Sequence, residues 1–119
     1  MAEEKQFENK VKKFLKDNNC WILKYWGGGG YTKSGIPDLL VCCNGFFLGI
    51  ELKAPNGKPS ELQKFQIREI QKSKGIGIVL YPQNFEQFKK FIEQLKSFHC
   101  GLEIPTWMIE ANKNIIKGD

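Results

Sequence analysis

The sequence predicts an α/β fold, a mixed four-stranded sheet flanked by helices in the order α-β-β-β-α-β-α. Three observations predict it. Three segments carry apolar residues at helical 3–4 spacing. An Asn44-Gly45 pair separates two runs rich in strand-forming residues, and this is the strongest two-residue hairpin signal, because both central positions of a type I′ turn need positive φ. A strand, crossover helix and strand (46–53, 60–74, 76–81) have the form of a right-handed parallel unit beside that hairpin.

The elements follow in order. Residues 3–18 read as a helix on Phe7, Val11, Phe14 and Leu15, stopped by Asn18-Asn19. Cys20 to Trp26 reads as a short strand, followed by the glycine-rich stretch from Gly27 to Ser34. Residues 38–43 and 46–53 form the hairpin strands. Ser60 caps a helix to about Lys74, and Gly75 is a natural stop. Residues 76–81 form the last strand. Asn84 is expected to cap a helix to about Phe98 on Phe85, Phe88, Phe91, Ile92 and Leu95. After Pro105 a short helix, or nothing regular, is expected.

The 119 residues suit one domain, with 105–119 as a C-terminal extension. A hydrophobic content of 41% is too high for a disordered chain. No apolar run reaches a membrane span, and the acidic start is unlike a secretory signal, so a cytoplasmic protein is expected. Eighteen basic against thirteen acidic residues give a formal charge of +5. All the basic residues except Arg68 are lysines, which meet phosphates as point charges and do not read bases bidentately. The balance fits a polyanion gripped by its backbone, or a surface charged for solubility. Cys20, Cys42, Cys43 and Cys100, with His99 alone, lack zinc spacing and are expected as buried free thiols.

A two-residue turn at 44–45 pairs Cys43 with Phe46, and the same register sets Asp38 opposite Glu51. Their Cβ atoms should lie about 4.5–5.5 Å apart, on the face that Lys53 shares. Opposed carboxylates repel, and a divalent cation with a taste for hard oxygen ligands removes the repulsion. Glu51 and Lys53 also suit the polar side of an ordinary amphipathic strand. Gly35 and Pro37 shape the approach to Asp38.

Gly35-Ile36-Pro37-Asp38, a hairpin, then Glu51-Leu52-Lys53 resembles the signature of the PD-(D/E)xK nucleases. More narrowly it is similar to the VRR-NUC branch, including stand-alone bacteriophage versions that resemble archaeal Holliday-junction resolvases. The resemblance covers about residues 4–81 and implies a restriction-endonuclease-like fold. It implies a metal-dependent DNA endonuclease, structure-selective on branched DNA such as Holliday junctions and acting as a homodimer. If the chain is phage-encoded, the compartment is the host cytoplasm. Asp38, Glu51, the Leu52 carbonyl and Glu8 would hold Mg²⁺ or Mn²⁺, and Lys53 would orient water or offset charge on phosphorus, leaving a 5′-phosphate and a 3′-hydroxyl. Glu8 matches the family's first-helix glutamate, with Glu3 and Glu4 as rivals. Gln63 matches a family glutamine but also completes a capping box with Ser60, and Gln66 could substitute for it. Lys24 matches a basic position in the resolvase-like relatives. Tyr31, Lys33 and Ser34 are candidate DNA contacts in what is otherwise a plain connection.

Two other readings compete. Gly27 to Ser34 approaches a phosphate-binding loop, but Thr32 stands where glycine is needed, and Pro37 and a strand follow where a helix should open. A catalytically inactive DNA-binding module would keep the fold and lose the chemistry, yet every expected catalytic residue type is present. Phe91, Ile92, Leu102, Ile104, Trp107 and Met108 are candidates either for a dimer surface or for completing the core.

Overall fold

A computed structural model describes residues 2–26, 34–99 and 102–115. Helix α1 (Ala2–Asp17) precedes strand β1 (Trp21–Lys24) and the hairpin of β2 (Leu39–Cys43) and β3 (Phe46–Leu52). Helix α2 (Glu61–Lys72), strand β4 (Ile76–Leu80), helix α3 (Phe85–Ser97) and helix α4 (Thr106–Asn112) complete the order. The sheet runs β1-β2-β3-β4, with the first two pairings antiparallel and β3–β4 parallel. The predicted fold class and element order therefore hold, with boundaries shifted by one or two residues.

The hairpin adopts the expected register, from Cys43 opposite Phe46 to Leu39 opposite Ile50. Asn44 and Gly45 both take positive φ (51° and 87°), as the turn requires. Asn44 also donates through Nδ2 to the Leu95 and Phe98 carbonyls, both at 2.8 Å. It thereby satisfies carbonyls that the end of α3 leaves open.

One sheet face carries Leu39, Val41, Cys43, Leu48, Ile50, Leu52 and Leu80, all buried. The α1 stripe (Phe7, Val11, Leu15) and the α3 stripe (Phe88, Ile92, Leu95) close over it. Phe85 meets Phe7 and Phe14 edge-on, at 5.8 and 6.0 Å between centroids. Helix α2 lies on the other face. Gly49 and Gly77 leave room for Ile70 and Ile67 there. The α2 start is a complete capping box: Ser60 Oγ accepts from Gln63 N, and Gln63 Oε1 accepts from Ser60 N.

Several expectations need correction. Gly75 does not supply the left-handed residue ending α2; Lys74 does, at φ 70°. Gly75 N then donates to Ile70 O in a Schellman closure, and the glycine's value is its close packing on Ile70. Asn84 makes no side-chain cap, because Pro82–Asn84 forms a 3₁₀ turn and Asn84 Nδ2 donates to Gln87 Oε1 instead. Cys43 is buried as expected, but Cys42 is exposed, since α2 leaves that part of the outer face open. Ile92 belongs wholly to the core and Phe91 is half-buried against it, the core-completing alternative of the two expected for them. Leu102, Ile104, Trp107 and Met108 do not complete the core; they are exposed.

The approach to the hairpin rests on Gly35, at φ 80°, where an added Cβ would collide with the Leu62 carbonyl. Gly35→Ala is expected to cost about 1–3 kcal/mol from backbone strain alone, plus the collision. Gly45→Ala, at similar φ but in open space, is expected to cost less. Urea unfolding of the two variants checks the order; a Gly35 variant as stable as the Gly45 variant contradicts it.

Candidate active site

The site forms where the hairpin ladder stops. Tyr25 N donates to the Asp38 carbonyl at 2.8 Å, so the Asp38 backbone continues the pairing toward β1. On its other side the Asp38 side chain replaces a backbone carbonyl: Oδ2 accepts from Leu52 N–H at 2.9 Å. That bond pins the carboxylate against the end of β3. Glu51 shares the face of Gly49, the face covered by α2, and is only 2% exposed. Its Oε2 meets Lys53 Nζ at 3.3 Å. Its Oε1 is the one buried side-chain polar atom without a hydrogen-bond partner among the described residues.

A second charge cluster adjoins the first. Glu8 is buried in α1, and its Oε1 meets Lys24 Nζ at 2.8 Å. Lys5 and Lys12, three residues before and four after, each reach Oε2 at 3.2 Å. The Lys24 ammonium also approaches Asp38 Oδ1 at 3.5 Å, so it bridges α1 to the hairpin.

The two glutamates are driven in opposite directions. Burial pushes the Glu51 carboxyl up to about 7, the Asp38 charge adds to the rise, and Lys53 offsets part of it. Burial also raises Glu8, but the ammonium groups of Lys24, Lys12 and Lys5 outweigh it and hold the carboxyl down at about 2. Burial lowers Lys24, yet Glu8 and Asp38 prevail and its net shift is upward.

The donor set suits a hard divalent cation. Asp38 and Glu51 offer carboxylate oxygens under mutual repulsion, and Glu51 Oε1 is buried with no donor to satisfy it. Among the described residues no three His, Cys, Asp or Glu side chains form a ready-made ligand group. Glu8 joins the cluster through Lys24.

The matching family model is that of the archaeal Holliday junction resolvases (Hjc), over residues 2–96. The chain belongs to this family. A solved structure described as a VRR_NUC domain is 27% identical with a TM-score of 0.63, covering 76% of this chain and 95% of that one. No curated protein matches the chain. Family and fold make the protein a nuclease, and the family implies DNA as its partner. Among the described residues no helix is long and apolar enough to cross a membrane.

The remaining candidates are dispersed. Gln63 spends Oε1 on the α2 cap, while its backbone lies close to Gly35. Gln66 Nε2 donates to the Ser34 carbonyl at 3.3 Å, holding the chain entering the site. Ser34 is exposed; Tyr31 and Lys33 lie outside the described residues. The sequence signal for the lysine ring around Glu8 is the spacing of Lys5, Glu8 and Lys12 on one helix face; the Lys24 contact has no such local signal.

Between pH 4.5 and 7 the folded chain holds the Glu51 proton more tightly than the unfolded chain does. Stability contributed by this group is therefore lost as pH rises through that window. Glu51→Gln is expected to stabilise the metal-free protein at about pH 8 by on the order of 2 kcal/mol, and to change little near pH 4. Thermal unfolding in EDTA at both pH values checks this; no gain at the higher pH contradicts it.

Proposed function

We propose that the protein is a Mg²⁺- or Mn²⁺-dependent DNA endonuclease, selective for branched DNA such as Holliday junctions and working as a homodimer. The observation that carries it is the orphaned Glu51 oxygen beside Asp38 and Lys53. Asp38, Glu51 and the Leu52 carbonyl would hold the cation, with Glu8 as a further ligand. When bound, the cation supplies Lewis-acid polarisation of the phosphate and lowers the pKa of water.

The chain's own groups do the rest. Asp38 is held in place by the Leu52 N–H bond, so the ligand is positioned before substrate arrives. Lys53 stands at the edge of Glu51, where an ammonium orients the attacking water and offsets charge on the phosphorane oxygens. Water adds to phosphorus and the 3′ oxygen leaves, giving a 5′-phosphate and a 3′-hydroxyl. Lys24, with Tyr31, Lys33 and Ser34, would contact the DNA backbone; Gln63 would lie beside the site.

An inactive DNA-binding module remains the competing reading. Cleavage of a four-way junction in Mn²⁺, compared with EDTA, separates the two. Asp38→Asn and Lys53→Ala are expected to lower cleavage at least 100-fold with unfolding unchanged to about 1 kcal/mol. Full activity in either variant refutes the assignment.

Paired copies are supported by the open outer face of the sheet. Trp21, Cys42 and Phe47 stand in one cross-strand row and all are exposed. Leu23 is exposed in the next row, and a hollow of about 400 Å³ lined by Phe47, Ile70 and Gly75 adjoins. Two active sites in one particle account for cutting paired strands. Phe47→Glu is expected to weaken a dimer about 30-fold or more, seen by sedimentation. An unchanged dimer places the interface elsewhere.

A further inference from the structure

One residue on the rim of the site has no task in hydrolysis. Trp26 follows β1 and is 71% exposed, a costly place for the largest apolar side chain. Counting by twos along the strand puts it on the side of Ile22 and Lys24, toward α1. Two ammonium groups lie against its ring: Lys24 at 5.4 Å and Lys5 at 5.8 Å from the centroid. These lysines also bind Glu8, and Lys24 reaches on to Asp38. The indole is thus two contacts from a carboxylate of the site, with much of its surface open to solvent.

We infer that Trp26 is a stacking platform for a nucleobase unstacked at a DNA branch point, with Lys5 and Lys24 meeting the flanking phosphates. This rests on the nuclease reading above and adds the source of its preference for branched DNA. Every base has a π face, so such a platform is indifferent to sequence, as suits a chain with one arginine. In continuous duplex each base is already stacked on its neighbours and offers the ring nothing. At a junction the base pairs around the crossover open more easily, and an exposed indole captures a base. The cations beside the ring are complementary to the phosphates on either side of that base. Stacking then favours the branched substrate without a base-specific hydrogen bond.

The readout is the ratio of junction to linear-duplex cleavage in Mn²⁺. Trp26→Ala is expected to lower the ratio roughly 5- to 100-fold, and Trp26→Phe to retain most of it. An unchanged ratio for Trp26→Ala, or equal loss on both substrates, overturns the inference. A second measurement needs no cleavage. With Trp21→Phe and Trp107→Phe, Trp26 is the sole indole, and Asp38→Asn keeps the DNA intact. Junction DNA is expected to quench its emission, and linear duplex at saturating concentration to leave it nearly unchanged. Equal quenching by both overturns the inference. Should the wild-type protein cut neither DNA, the nuclease reading fails, while the fluorescence still decides whether a base stacks on Trp26.

Discussion

The register of one β-hairpin is the constraint on which the rest depends. Side chains alternate between faces with a period of two, so a slip of one residue would turn every hairpin side chain over. The Asn44-Gly45 turn prevents it, because two successive residues with positive φ are tolerated there and at few other places. Asn44 is also bonded to the end of α3, so turn geometry and helix packing select the same pairing. The outcome is felt at the far end of the hairpin, where the Asp38 carboxylate takes the Leu52 N–H.

Two charge clusters share Asp38 and are out of balance in opposite senses. Around Glu8 there is an excess of positive charge, since three ammonium groups converge on one carboxylate. Around Glu51 there is an excess of negative charge, since Asp38 adds its charge, Lys53 offsets only part of it, and burial removes the water that would screen them. The first cluster strengthens the link between α1 and the sheet. The second carries an unfavourable interaction through the resting protein, and an added cation would relieve it. A local cost of this kind is what marks Glu51 and Asp38 as candidates for a functional site.

Local signals were legible where a few neighbouring residues decide the structure. The hairpin, the capping box at Ser60 and Gln63, and the amphipathic stripes of α1 and α3 all follow from short-range spacing. Signals failed where packing chose between similar local solutions. Lys74 accepts the left-handed conformation because Gly75 is needed for contact with Ile70. Asn84 gives up its cap because Pro82 starts a 3₁₀ turn.

The sequence alone determined the element order, the hairpin pairing and the placement of Asp38 opposite Glu51, since turn chemistry and strand periodicity are short-range. Only the tertiary structure decided that Glu51 is almost wholly buried, that Lys24 joins Glu8 to Asp38, and that Trp26 stands open to solvent beside them. Burial and charge pairing between elements distant in the chain depend on how a helix lies across the sheet, and no pattern within a single element encodes that.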